Sequence, residues 1–75
     1  MGWNYRIVRK KVDNFFEFGI YEAYYHGKQK KPWAITEELM CPSGYDMEEL
    51  VEDFDRMKLA FGEPTLDHET REEIT

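Results

Sequence analysis

Pro42-Ser43-Gly44-Tyr45-Asp46-Met47-Glu48-Glu49-Leu50 decides the fold, because it opens a helix whose far end is spelled by Phe61-Gly62-Glu63-Pro64. Asp46 is placed to accept orphan amide hydrogens of the first turn. Glu49 stands three residues later, where a capping-box carboxylate reaches back. Gly62 and Pro64 supply a left-handed stop and a barrier to continuation. Between these ends Met47, Leu50, Val51, Phe54, Met57 and Phe61 recur at three- and four-residue spacing, which places them on one stripe. Burying each contributes about 1.5–3 kcal/mol. The stripe is therefore expected to seat the helix on a sheet, with Phe54→Asp the substitution most apt to unfold the domain. Acids fill the first half of the helix and Arg56 and Lys58 come late, which suits its dipole.

Upstream, the periodicity changes from helical to two. Trp3, Tyr5 and Ile7 alternate with Asn4 and Arg6, the pattern of a half-buried strand over residues 3–10. Asp13-Asn14 is turn chemistry. Residues 15–25, Phe-Phe-Glu-Phe-Gly-Ile-Tyr-Glu-Ala-Tyr-Tyr, form the longest expected strand, apolar on both faces, with Gly19 marking a bulge or a close approach. After a polar turn at residues 26–31, residues 33–40 fit either strand or helix, and their short length and the Pro42 just after them favour a third strand. The expected fold class is α+β: a three-stranded antiparallel sheet (a β-meander) with one C-terminal helix on one face. Residues 1–64 are expected to form the single domain, and the acid-rich residues 65–75 a mobile tail, anchored at most by Leu66.

The chain has 75 residues, near the lower limit for a self-sufficient core, and its twelve aromatic residues supply the bulk. Net charge is −6 and unevenly spread: residues 1–31 carry +4 and residues 32–75 carry −10. Such a chain repels nucleic-acid phosphates at long range. No apolar run reaches the roughly 20 residues that span a bilayer, and the opening residues lack a signal-peptide core. Cys41 is the only cysteine, which excludes an internal disulfide and suits a reducing cytoplasm. Cytoplasmic location and no membrane association are the expectations.

Chemistry-bearing residues are sparse. Glu37 and Glu38 are neighbours on an expected strand and so point to opposite faces. Glu22 is expected to pair with Arg6 or Arg9 across the first hairpin. His26, Cys41 and His68 share no ligand spacing, so no metal and no cofactor is expected, and Cys41 reads as a buried or half-buried thiol. His26 in a turn and His68 in the tail are expected to be solvated. No phosphate-loop motif occurs. No catalytic residue stands out, and a non-enzyme is the expectation.

Trp3-Asn4-Tyr5-Arg6-Ile7-Val8, Gly19-Ile20-Tyr21-Glu22-Ala23-Tyr24-Tyr25, Trp33, Pro42-x-Gly44-x-x-x-Glu48-Glu49-Leu50 and Pro64-Thr65-Leu66-Asp67 resemble a group of short bacterial proteins of unassigned function, over roughly residues 3–67. More loosely, three strands before a capped acidic helix resemble the N-terminal domain of HicB-type antitoxins, which neutralise a small RNA-cleaving toxin by direct contact. That resemblance implies a protein-binding module. Residues 63–75 show no helix-turn-helix or ribbon-helix-helix pattern, so the transcriptional autoregulation of that family is not expected.

A helix that covers one sheet face leaves aromatic residues bare on the other, and such a face marks an interface. The first expectation is therefore a protein-interaction module, homodimeric or bound to another protein. Its candidate contacts are Phe15, Tyr21, Tyr25 and Trp33, with Glu48, Glu52 and Asp55 meeting a basic partner. The alternative is a single-stranded nucleic-acid-binding sheet using Arg9, Lys10, Lys28 and Lys30. In a meander those two basic clusters fall at opposite ends of the sheet.

Overall fold

The computed structural model describes residues 2–74. Two long strands, β1 (Gly2–Val12) and β2 (Phe15–Tyr25), form an unbroken antiparallel hairpin. Gly2 faces Tyr25 at one end and Val12 faces Phe15 at the other, with no bulge between. Asp13 closes the two-residue loop in the left-handed region, at φ 55, which an aspartate tolerates.

The expected third strand shrinks to β3 (Ala34–Ile35), antiparallel to β2. The cause is local. Thr36 Oγ1 accepts from the Glu22 amide at 3.2 Å and donates to the Glu38 carbonyl, so a side chain takes one of the two bonds of the next rung, while the Thr36 amide still donates to the Glu22 carbonyl. A fourth strand, β4 (Leu66–Asp67), lies parallel to β1, with Leu66 beside Val8 and Asp67 beside Arg9. The sheet is therefore mixed, in the order β3-β2-β1-β4, rather than a three-stranded meander.

The helix α1 (Met47–Lys58) begins as its sequence dictates. Asp46 Oδ1 accepts from the Glu49 amide at 2.8 Å, while Glu49 Oε1 accepts from the Tyr45 amide, one residue before the cap. Gly44 makes this entry possible: a Cβ there would stand 2.6 Å from the Leu50 nitrogen. The exit differs from expectation. A 3-10 turn over Leu59–Gly62 tightens the last turn, Glu63 is extended, and Gly62 does not adopt a left-handed conformation.

Each face of the hairpin holds its own small core. On the helix side Tyr5, Met57 and Ala60 are buried, with Ile7, Ile20 and Met40 packed around them. On the reverse Val8, Tyr21, Ala23 and Leu66 form the second core, flanked by Tyr25 and Ile35. The segment expected as a tail closes that reverse face. His68 packs edge-on against Tyr21, with its Nε2 3.0 Å from the Thr36 carbonyl, and Arg71 Nε donates to the Pro32 carbonyl. Asp67 shapes the turn between them by accepting from the Glu69 and Thr70 amides. His68 is half-buried, not solvated.

Candidate functional site

The helix does not present its apolar stripe to the sheet. Met57 is 2% exposed, but Phe54 is 50%, Met47 and Phe61 each 71%, and Val51 50%. The buried line is instead Asp53, Met57 and Ala60, spaced i, i+4, i+7. At 100° per residue that line is rotated by about 90° from the centre of the stripe. Pro42, Leu50, Val51 and Phe54 consequently line an open apolar groove of about 420 Å³.

Asp53 explains the rotation. Its Oδ1 accepts from the Tyr5 hydroxyl at 2.7 Å and its Oδ2 from the Ser43 amide at 3.0 Å, while Arg56 stands at 3.5 Å. A buried carboxylate needs such partners, and they are available only with the Asp53 side of the helix turned to the sheet. The Tyr5 hydrogen bond is the main cause holding the Asp53 carboxyl below its ordinary range. Burial, reinforced by Asp53, pushes the Tyr5 hydroxyl up to about 12. Beside this joint lies a polar cleft of about 380 Å³ whose lining includes Glu22, Cys41, Glu49 and Glu52. Glu22 accepts from Tyr24 rather than pairing with Arg6 or Arg9, and Cys41 is exposed rather than buried. Arg6 turns to the other face, donating to the Tyr25 hydroxyl and the Pro64 carbonyl and pairing with Glu73. Arg9 pairs with Asp67.

The expected contact residues separate into two groups. Tyr21, 3% exposed, is a core residue under the C-terminal segment, and Tyr25 is half-buried beside it. The bare aromatic underside expected from sequence is thus covered by the chain itself. Phe15 and Trp33 are exposed, Trp33 stacking on His26. Glu48, Glu52 and Asp55 are all exposed on α1. Phe16 and Phe18, which sequence reasoning passed over, are exposed near the hairpin tip, Phe16 under the Arg9 guanidinium.

Of the basic residues, Arg9 and Lys10 flank the tip end of the hairpin, whereas Lys28 and Lys30 follow its open end. Arg9 is held by Asp67, and Lys10 Nζ donates to the Glu37 carbonyl at 2.6 Å. Among the described residues no group of three or more His, Cys, Asp or Glu is arranged to hold a metal ion. No helix among them is long and apolar enough to cross a membrane. No family model matches the chain, and no curated protein or solved structure matches it significantly.

The one signal that would have found the rotated helix is Asp53 itself. It shares a helical line with Met57 and Ala60, and a lone acid among apolar residues at that spacing marks either a solvated edge or a partnered burial.

Proposed function

We propose that this domain is a non-enzymatic protein-interaction module that docks a basic partner on the open face of α1. The observation that carries the reading is the groove of Pro42, Leu50, Val51 and Phe54, an apolar stripe that the domain does not use for its own core. Exposed apolar surface of this kind on a small domain marks a binding site. Charge selects the partner. Glu48 and Asp55 flank the stripe on its solvent side, and residues 32–75 carry −10. Association with a positively charged surface is accelerated and oriented by such a field. A small RNA-cleaving toxin, the partner implied by the antitoxin-like resemblance, must carry positive charge to hold its substrate and fits this chemistry.

The nucleic-acid reading draws less support, because Arg9 and Lys10 are engaged by groups of the same chain. An enzymatic reading has little to stand on: Tyr5 and Asp53 satisfy one another, which serves anchoring rather than turnover.

The test places a photoreactive residue at Val51, with Lys28 as the control position, in living cells. The expected adduct is a basic protein whose purified form binds Phe54→Asp at least tenfold more weakly, while the variant keeps the wild-type melting temperature. Adducts no stronger than at Lys28, an acidic partner, or unfolding of Phe54→Asp would each overturn the reading.

A further inference from the structure

The two outer edges of the long hairpin are protected unequally. Along β1 the outer edge carries β4 at Val8 and Arg9 and continues into Lys10 and Lys11. Cover and charge are the usual defences of a strand edge. Along β2 the cover stops early. β3 pairs only with Ala23 and Tyr24, then the following loop contributes the Thr36 amide to the Glu22 carbonyl and the Met40 amide to the Ile20 carbonyl. These bonds show that even-numbered residues of β2 turn their backbone groups outward, as alternation in an antiparallel ladder requires. Phe18 and Phe16 continue that series, and among the described residues no strand lies beside them.

This bare edge reads Phe15-Phe16-Glu17-Phe18, without a proline, a lysine or a bulge. Phe15 is 74% exposed on one face, and Phe18 is 63% exposed on the other. A strand added here would gain main-chain hydrogen bonds and aromatic cover on both sides of the sheet.

We infer that the outer edge of β2 at Phe15–Phe18 pairs with the same edge of a second copy, antiparallel about a two-fold axis, so that two hairpins become one continuous sheet. The segment complements itself. With Phe16 opposite its symmetry mate, Phe15 faces Glu17 of the second copy, and the two Glu17 carboxylates stay apart. A register centred on Glu17 would pair Phe16 with Phe18 of the second copy but set the two Glu17 carboxylates directly opposite, and like charges directly opposite destabilise a sheet, so the Phe16-centred register is preferred. The contact is an isologous interface of the kind commonest in homodimers. It lies on the hairpin, apart from the α1 groove, and does not depend on the reading proposed for that groove.

Sedimentation from micromolar to millimolar concentration tests it with three proteins: wild type, Phe18→Lys and Val51→Glu. The wild type should dimerise, Phe18→Lys should weaken association at least tenfold at an unchanged melting temperature, and Val51→Glu should associate like the wild type. In a Cys41→Ser background, Phe16→Cys should cross-link to itself in oxidised glutathione, since paired Cα atoms about 5.5 Å apart admit a disulfide. The cross-link reads the same contact even if Phe18→Lys fails to fold. A wild type that stays monomeric, a dimer lost only in Val51→Glu, or absence of the Phe16→Cys cross-link would overturn the inference.

Discussion

The hydroxyl of Tyr5 and the carboxylate of Asp53, 48 residues apart, meet at 2.7 Å and join the first strand to the helix. The same carboxylate holds the Ser43 amide and so also fixes the loop that leads into α1. Three segments that are remote in sequence converge on two oxygen atoms. This polar joint sets which side of the helix is buried, and the exposed groove is its direct result.

Removing either partner should expose that dependence. Asp53→Asn keeps the shape but gives up a charged acceptor, and a cost of about 1–3 kcal/mol is expected. Tyr5→Phe should cost a similar amount, since it leaves the buried acid short of a donor. Urea unfolding of both single variants and the double variant should show strong non-additivity. Additive effects would mean that the two residues act separately.

Stability should fall at both ends of the pH scale, for opposite reasons. Asp53 is held below its ordinary range chiefly by the Tyr5 hydroxyl, and Asp67 chiefly by the Thr70 amide. A depressed carboxyl stabilises the fold above the unfolded value of about 4, and that contribution disappears as pH drops through the folded values. Tyr5 behaves in the opposite sense. Its hydroxyl is pushed up to about 12, so its contribution is complete below the unfolded value of about 10 and is lost as pH rises through 12. Melting temperature against pH should show a plateau with two flanks, and Tyr5→Phe should remove much of the alkaline one.

Phe54 and Met57 should respond very differently to truncation. Met57→Ala opens a cavity in the helix-side core and should cost about 2–5 kcal/mol. Phe54→Ala removes a half-exposed ring and should stay near 1 kcal/mol or below. Denaturant midpoints decide the matter, and comparable losses would return the stripe to the core.

Leu66 is the anchor of the second core, 1% exposed against Val8, Tyr21 and Ala23. Leu66→Ala should cost about 2–5 kcal/mol and uncover Tyr21. Binding of a hydrophobic dye at neutral pH should rise accordingly. An unchanged melting temperature would show that the C-terminal segment does not support the sheet.

Features written in adjacent residues were legible from sequence. The Asp46 cap with Glu49 at the third position gave the helix start, and alternation through Trp3, Tyr5 and Ile7 gave β1. What sequence could not show depended on distant partners. Apolar spacing alone turned Phe54 inward, because nothing near Asp53 announced that Tyr5 and Ser43 would be waiting for it. Leu66 and Asp67 form a strand of two residues, too short for any period, and they pair with residues 58 positions earlier. Thr36 gives its hydroxyl in place of its carbonyl to the Glu22 amide just past β3, a competition that strand propensity does not register.

The parallel pairing of β1 with β4 also has a consequence for synthesis. A chain growing from its N-terminus offers the hairpin first, yet one rim and part of the underside of that hairpin wait for residues made well after it. Until Leu66 and His68 clear the ribosome, Tyr21 has no roof and nothing shields Val8. The nascent domain must therefore pass through an interval in which it is most vulnerable to its neighbours on the same messenger.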